Sequence, residues 1–288
     1  NARVPRRFSV RLVAGRVPRH SVFVLSTFAR NALFTLCAAL AFITVVLPLG
    51  SIVLGSFLKI AGSLSPENFT LDNYLYLLSM PEAGRAFANS FGLAAVTALA
   101  CTILGFLISY FKDRLTFRGR ETLARLASLP FAIPGTVIAL AMIVSYGTSL
   151  GPFSLLGSVW LIAIAYVSKY LALSVQTLAP ALSAVDHTLD EAGRICGANR
   201  FGVLRRILVP ILMPSLISVF VLTSLPILTE LTMSVLLAGP GTETLGTLMF
   251  QLQEYANPLA ACALSTCLIL IISLLLLAQQ FLTRRAFS

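Results

Sequence analysis

Few residues in this sequence belong to types that could do chemistry. The 288-residue chain contains two histidines, His20 and His187, and five cysteines. Their spacing matches no metal site, disulfide framework or nucleophile–base pair, so the sequence predicts no catalytic residue and no metal site. Two charged residues, Lys169 and Glu230, are unusual because they stand inside long apolar stretches. Ionisable groups at membrane depth are costly and commonly face a cavity or a partner, which makes both of them pathway candidates.

Each of these candidates also has a structural explanation. Glu230 could line a pathway toward the outer side of the membrane, or hold the broken end of its span by a hydrogen bond. Lys169 could extend its stem to the inner headgroups, pair with a carboxylate or line an inward cavity. From their positions along the two spans, we expect Glu230 to lie too far from Lys169 to be its partner. Pro134 and Gly135 are the other pathway candidates, because a kink there would free carbonyl groups, although helix packing explains them equally well.

Composition indicates that the surrounding elements lie in lipid. Hydrophobic residues make up 57% of the chain, charged residues only 11%, and the mean hydropathy is +0.90. Soluble domains are about one quarter charged, so this chain cannot provide a polar shell for a water-soluble core. In lipid the problem disappears, since apolar side chains can face outward.

Six stretches are long and apolar enough to be transmembrane helices, which need about 20 residues each. They are 32–58, 89–111, 126–147, 155–178, 207–237 and 259–282. The fifth is longer than one crossing requires and contains Pro210, Pro214 and Pro226, so we expect a kinked span followed by a short broken helix. The predicted fold class is an all-α integral membrane protein with about six transmembrane helices.

The lysines and arginines indicate how the chain is oriented. With the N-terminus in the cytoplasm, only Lys59 and Arg85 of the 21 Lys and Arg residues lie outside, and Lys169 lies within a span. This asymmetry follows the positive-inside rule and places both termini in the cytoplasm. It also accounts for the net charge of +10, so no nucleic-acid partner is expected. Residues 1–30 are expected to be a basic cytoplasmic segment or linker, and residues 31–288 a transmembrane domain.

The longest inner loop, residues 179–206, differs from an ordinary connector. Asp190 and Glu191 stand where negative charge would stabilise a helix N-terminus. Gly197 is suited to end that helix in the left-handed conformation. A second amphipathic stretch then leads into the apolar segment at Ile207. We therefore predict a helix–turn–helix against the inner membrane face, which a partner could grip.

A spaced pattern in this loop resembles the cytoplasmic signature of type I ABC importer permeases. In that family the pattern is Glu-Ala-Ala, three residues, Gly, nine residues, Ile, one residue, Leu-Pro. Here the same spacing is occupied by Glu191, Ala192, Gly193, Gly197, Ile207, Val209 and Pro210. Gly193 in place of Ala and Val209 in place of Leu are conservative departures, and Gly193 slightly weakens its helix.

Three further segments resemble iron(III)-type permeases and their phosphonate-type and thiamine-type relatives. They are Leu129 to Val137, Thr229 to Thr232 and Gly239 to Glu243. Such permeases often carry two halves in one polypeptide, and the arginine-rich start without Met is compatible with a second half. The resemblance implies a small solute as substrate, with ferric iron as the first candidate. Phosphonate, thiamine and polyamine are the alternatives.

The resemblance also implies a division of labour in a bacterial inner membrane. Two cytoplasmic ATPase subunits would bind ATP and Mg²⁺, because this chain has no Gly-x4-Gly-Lys-Ser/Thr phosphate loop and needs no cofactor itself. The loop would dock on an ATPase, with Glu191 facing a charged partner and Gly197 permitting the turn. An extracytoplasmic solute-binding protein would deliver the solute. The second permease half would be a homologous subunit, another copy or part of the same polypeptide.

Two other function classes explain less of the sequence. An ion-coupled secondary transporter would need several intramembrane ionisable groups, and only Lys169 and Glu230 are available. It would also leave the loop signature unexplained. A membrane-embedded enzyme would need paired carboxylates or histidine-rich metal ligands at membrane depth, and the sequence has neither.

Overall fold

The computed structural model describes residues 26–116, 118–147 and 155–286, with side chains up to residue 281. These residues are mostly helical and form no β-strand, only two isolated β-bridges. The α-helices in chain order are α1 (Thr27–Ala41), α2 (Leu47–Ser56), α3 (Asp72–Ser79), α4 (Pro81–Arg114), α5 (Arg120–Ser128), α6 (Gly135–Tyr146), α7 (Val159–Ser183), α8 (Thr188–Ile195), α9 (Arg200–Val203), α10 (Val209–Leu228), α11 (Thr232–Leu237), α12 (Leu245–Gln251) and α13 (Pro258–Ala286).

The chain divides into two compact units, residues 1–50 and residues 51–288. In the first unit the structure describes α1 and a π-helical segment, Phe42–Val46, which are mostly apolar. The division falls within α2, and the second unit contains the helices from α3 onward. Most of the predicted basic segment at 1–30 and the predicted outer turn near 148–154 lie outside the described residues.

The predicted membrane spans are present as apolar helices. Five are long enough to cross a membrane by themselves, and a bent pair of helices makes a sixth if it is counted as one span. The five are Thr27–Ser56, Pro81–Arg114, Val159–Ser183, Arg200–Leu228 and Pro258–Phe281. Several begin or end some residues away from the predicted boundaries, because a helix continues into polar sequence wherever its backbone hydrogen bonds can be made.

The third predicted span is broken rather than kinked. The helical stretch 120–132 and α6 meet at an angle of 107°. Ile133 is extended, and Pro134 has φ −55° and ψ 140°. A residue before proline is forced out of the helical region and proline has no N–H to donate, so the helix stops there. The expectation of one helix over 126–147 is therefore wrong at this point.

The fifth predicted span has the expected form. A continuous helix covers Arg200–Leu228 and includes a π-helical segment at Leu204–Leu208. The helix stops at Thr229, and the short helix α11 follows after Leu231. The predicted broken helix after the kinked span is confirmed, although the helical part begins seven residues before Ile207.

The centre of the second unit is formed by α4, α7 and α10, which pack on one another through small residues. Gly105 of α4 lies so close to α7 that an added Cβ would be 2.6 Å from Ser174 Cβ. Ala98 and Cys101 are fully buried in the same contact. Small side chains let helix backbones approach closely, which is the usual packing in lipid. This packing fixes the positions of the helix ends and breaks that carry the candidate residues.

Candidate functional site

The loop at residues 179–206, which we call the coupling loop after the family signature that it resembles, contains the predicted helix–turn–helix, with α8 as its first helix. The Thr188 N–H donates to Asp186 Oδ1 over 2.9 Å, and this hydrogen bond lowers the pKa of the Asp186 carboxyl below its ordinary value. Asp190 and Glu191 lie in the first turn. Negative charge there interacts favourably with the positive end of the helix dipole.

Gly197 ends α8 in the left-handed conformation, with φ +86°. The Ala198 N–H donates to the Gly193 carbonyl and the Gly197 N–H to the Arg194 carbonyl, each over 3.0 Å. This pair of bonds is a Schellman motif, which satisfies carbonyls that a helix end leaves free. The predicted conformation of Gly197 is therefore present, and the chain reverses here into α9.

The two faces of α8 have different surroundings. Asp190 and Gly193, three residues apart, are partly buried and face the rest of the protein, whereas Glu191 and Ala192 are exposed. An added Cβ on Gly193 would lie 2.6 Å from Ile207 Cδ1. The glycine that departs from the family pattern thus lets α8 approach Ile207, another residue of the same pattern.

The second helix of the loop continues into the fifth span. The Asn199 side chain accepts from the Gly202 N–H over 2.7 Å and so caps α9. The Val209 N–H bonds the Leu204 carbonyl, five residues back, which makes the segment containing Ile207 a π-helix. Pro210 follows as the second residue of α10, where its missing N–H costs little because helical pairing is already irregular.

Sequence reasoning assigned no special role to Arg114, yet its side chain is only 2% exposed. Its Nη2 donates to the Val185 and Leu182 carbonyls over 2.6 and 3.3 Å. Its Nε lies 3.2 Å from Asp113 Oδ2 and 3.5 Å from Asp190 Oδ2. Arg114 therefore connects the end of α4 with the end of α7 and the first turn of α8. No sequence signal distinguishes it from the neighbouring loop arginines.

Glu230 is buried at the break between α10 and α11 with both carboxylate oxygens occupied. Oε1 accepts from the Thr232 hydroxyl over 2.5 Å and from the Met233 N–H over 3.3 Å. Oε2 accepts from the Tyr170 hydroxyl and lies 3.4 Å from Lys169 Nζ. The carboxylate thus caps the start of α11 and joins it to α7.

The expectation that Lys169 and Glu230 are too far apart is wrong. It rested on predicted boundaries that ended the fourth span at residue 178, whereas α7 continues to Ser183. Five more helical residues place Lys169 about 7 Å deeper. It also placed Glu230 from its position along the fifth span alone, whereas the helix stops at Thr229 and Glu230 lies at the break. Snorkelling to the headgroups is therefore not what Lys169 does in this structure.

Gly135 brings the broken third span to the same place. An added Cβ on Gly135 would lie 2.5 Å from Thr232 Oγ1 and 2.8 Å from Lys169 Nζ. Pro134 immediately precedes it as the cap of α6 and is exposed. The two helix breaks, one in each of two spans, therefore meet around one ion pair. Tyr170 and Thr232 complete this cluster, and the sequence reasoning had not assigned either of them to the site.

Within the described residues, no group of three or more His, Cys, Asp and Glu side chains is arranged to hold a metal ion. The two arrangements that the structure presents are therefore the coupling loop and the ion-pair cluster at the helix breaks. Neither contains a nucleophile and base in contact.

The family of the chain follows from a comparison with known proteins. Residues 114–287 match the model of the binding-protein-dependent transport system inner membrane component family. The chain belongs to this family. The matched part of the permease begins at Arg114 and includes the coupling loop and both helix breaks.

Several proteins named as transport permeases have sequences similar to this one. "Probable ABC transporter permease protein y4fN" of Sinorhizobium fredii is 33% identical over 184 residues, 60% of this chain, and the matched part is 32% of that protein. "Probable sulfate transport system permease protein cysT" of Prototheca wickerhamii is 30% identical over 71% of this chain and 86% of its own length. Spermidine/putrescine transport system permease protein PotC of Haemophilus influenzae is 27% identical over 90% of this chain and 97% of its own length. The permease thus spans about one third of the y4fN protein.

The fold is also that of a solved transporter. A chain from the crystal structure of a bacterial ABC transporter involved in alginate import superposes with a TM-score of 0.75. The superposition covers 90% of the permease and 96% of the alginate transporter chain, and the two sequences are 17% identical. The comparison establishes the importer permease fold.

Proposed function

We propose that this permease forms one half of the solute pathway of an importer driven by ATP hydrolysis on two separate cytoplasmic ATPase subunits. The observation that carries the proposal is the two-sided arrangement of α8. Its Asp190 and Gly193 face is held against the protein, while Glu191 remains exposed. A helix fixed on one side and free on the other can receive a partner and pass its movement on.

The exposed part of the loop has the composition of a protein-binding surface. Ile195 at the end of α8 is 86% exposed, and Phe201 of α9 is 66% exposed. Apolar side chains in water are unfavourable unless a partner covers them, and interface centres are apolar with polar rims. Leu189 and Glu191 lie beside them on α8. We expect these residues to enter a cleft on the ATPase, which binds ATP and Mg²⁺.

The remaining parts of the assembly are proposed from the family. A solute-binding protein would dock at the end opposite the coupling loop, and the loop and both termini would be cytoplasmic. A second permease half would complete the pathway, either as a homologous subunit, another copy or a part of the same polypeptide. The cluster around Lys169 and Glu230 would lie along the pathway, where the two broken helices can rearrange.

Ferric iron is the first candidate substrate, because the segments at 129–137, 229–232 and 239–243 resemble iron(III)-type permeases. Two of the relatives named above are a "Probable sulfate transport system permease protein" and a spermidine/putrescine permease. The "Putative 2-aminoethylphosphonate transport system permease protein PhnV" of Salmonella typhi is 24% identical over 92% of this chain. Polyamine, phosphonate and thiamine are therefore alternatives within the same proposal. In this type of system the external binding protein performs most of the selection.

The coupling proposal is tested by purifying the native complex in mild detergent and identifying the bound proteins by mass spectrometry. We expect an ATPase with a phosphate loop. Glu191→Ala should reduce either ATPase retention or transport per ATP, whereas Glu67→Ala, which removes an exposed glutamate far away in sequence, should not. A lone polypeptide even after crosslinking would favour an ion-coupled carrier instead.

Substrate identity requires a separate test. Cells that contain the complete system would be given labelled ferric iron, sulfate, putrescine, thiamine or 2-aminoethylphosphonate, with and without the gene for this chain. Iron uptake that depends on this chain supports the first candidate. Dependent uptake of another solute contradicts iron while leaving the coupling proposal intact.

A further inference from the structure

Arg114 is the most deeply buried cationic side chain among the ion pairs of the described residues, with 2% of its side chain exposed. A guanidinium removed from water must be paired, because an isolated buried charge is highly unfavourable. Of the nearby arginines, Arg120 is only partly buried and Arg125 is exposed. The burial of Arg114 therefore indicates a specific role at this point in the chain.

The partners of Arg114 belong to three helices. Asp113 and Arg114 end α4, and the Leu182 and Val185 carbonyls lie at and just beyond the C-terminal turn of α7. Positive charge at a helix C-terminus is favourable because the free carbonyls there carry partial negative charge. The third partner is Asp190 in the first turn of α8, 3.5 Å from Nε. One side chain thus joins two membrane spans to α8, the coupling helix of the loop.

Asp113 strengthens the same junction. Its Oδ1 accepts from the Ser183 hydroxyl of α7 over 2.8 Å, and its Oδ2 is 3.7 Å from His187 Nε2, immediately before α8. Asp113 and Arg114 therefore each contact both the end of α7 and the start of the coupling helix. A chain of polar contacts across α4, α7 and α8 results.

The attachment of α8 to the rest of the protein is narrow. The pair with Arg114 is the single ion pair that α8 makes among the described residues. Gly193 of α8 also packs closely against Val203 and Ile207. Asp190 is adjacent in sequence to Glu191, the residue expected to meet the ATPase. Any displacement of Glu191 therefore moves Asp190, and through it Arg114.

Four atoms in the junction are buried and have no hydrogen-bond partner among the described residues. They are Asp113 Oδ2, Arg114 Nε, Arg114 Nη1 and Asp190 Oδ1. Such groups are uncommon in folded proteins. A small rotation of α8 relative to α4 that brought Arg114 Nη1 and Asp190 Oδ1 into direct contact would make the arginine–carboxylate pair bidentate and stronger.

We propose that Arg114 is a positioning residue that fixes the coupling helix to the α4 and α7 spans and transmits its displacement to them. The proposal rests on the proposed function for the displacement, but the fixing of α8 is a property of the permease alone. The two parts can therefore be measured separately.

The first measurement uses the purified permease without partners. Spin labels are placed on Cys196, which is exposed at the end of α8, and on Ile103→Cys of α4, after replacement of the other four cysteines. Double electron–electron resonance gives the distribution of distances between the two spin labels. We expect it to broaden in Arg114→Met and Asp190→Asn and to remain unchanged in Arg125→Met, which removes an exposed arginine from the same region. A distance distribution as narrow as that of the wild type in both Arg114→Met and Asp190→Asn overturns the proposal.

The second measurement uses the complete transporter in proteoliposomes and compares transport with ATP hydrolysis. Arg114→Met should lower transport per ATP by roughly ten-fold while the ATPase stays bound, and Arg114→Lys should recover part of the loss. If Arg114→Met assembles poorly, Asp190→Asn gives the same comparison with Arg114 still paired to Asp113. An unchanged ratio in the assembled variants also overturns the proposal. If no ATPase binds the permease but the distance distribution broadens in the junction variants, the proposed function is contradicted and the positioning role of Arg114 stands.

Discussion

Lys169 Nζ lies 3.4 Å from Glu230 Oε2, which ties the middle of the fourth span to the break in the fifth. Both side chains are largely buried, with exposed fractions of 18% and 7%. Each charge makes the other tolerable in the membrane interior. The pair therefore belongs to the architecture of the pathway region whether or not a solute touches it.

Removing one member of this pair should destabilise the permease more than removing both. Glu230→Gln leaves a buried ammonium without its counter-charge, and we expect a loss of about 3 kcal/mol. The double variant Lys169→Met with Glu230→Gln should recover much of that loss. Thermal unfolding in detergent provides the measurement. Equal and additive losses in the two single variants would contradict an energetically coupled pair.

The close approach of the two helix breaks predicts a strict requirement for glycine at residue 135. In Gly135→Ala the new methyl group would meet Thr232 Oγ1 and Lys169 Nζ at 2.5 and 2.8 Å. The ammonium must then move away from Glu230, which we expect to cost about 1 to 3 kcal/mol and to slow transport.

Gly92→Ala is the matched control for Gly135→Ala. Gly92 lies within α4 with no atom within 4 Å of the added Cβ. Alanine there should leave transport unchanged and stabilise the helix by up to about 1 kcal/mol. Stability and transport measured for both variants test the idea, and a Gly135→Ala permease indistinguishable from Gly92→Ala would refute the close contact.

The sequence predicts those features that depend on local properties. Apolar length predicted the spans, and the absence of a Cβ predicted that Gly197 would end α8 with positive φ. Prolines predicted a broken helix at the end of the fifth span but only a kink in the third. They could not predict the 107° angle at Pro134, because proline removes a hydrogen bond without specifying where the next helix packs.

Contacts between distant parts of the chain could not be predicted in this way. Lys169 and Glu230 are 61 residues apart, and their meeting depends on how far α7 extends and where α10 stops. Arg114 looks like any other basic loop residue in the sequence. Its side chain is buried because three helix ends converge on it. Residue type and spacing in the sequence do not predict that convergence.

The turn after α8 predicts a second glycine requirement with a different cause. Gly197 has open space around an added Cβ, so only its φ of +86° disfavours a side chain. Gly197→Ala should therefore cost about 1 to 2 kcal/mol, and Gly197→Asn less, because asparagine tolerates the left-handed region. Hydrogen exchange of residues 188–203 should rise in the order wild type, Asn, Ala. The same exchange in all three would show that this turn is not constrained by φ.

The segment between α11 and α12 should respond to acid through Glu243. Its Oε1 accepts from the Gly241 N–H over 3.1 Å, and its Oε2 is 3.7 Å from Arg85 Nε. Asn89 Nδ2 holds the same segment by donating to the Gly241 and Glu243 carbonyls. Hydrogen bonds from its own N–H and that of Gly241, with the charge of Arg85, lower the pKa of Glu243 more than burial raises it. Because the folded pKa is the lower one, this stabilisation is present above the unfolded pKa, about 4.3, and is lost as the pH falls through the folded pKa.

We therefore expect the protection factors for hydrogen exchange in residues 239–244, that is, the intrinsic rate at each pH divided by the observed rate, to fall on acidification below about pH 4 in the wild type. Glu243→Gln should show the lower protection factors already at neutral pH, and they should not fall further on acidification. The effect should stay below about 1 kcal/mol, because Arg85 is half exposed and solvent screens the pair. Glu67→Gln, which removes an exposed glutamate elsewhere, should follow the wild type. Acid sensitivity of the same size in Glu243→Gln would assign the transition to another group.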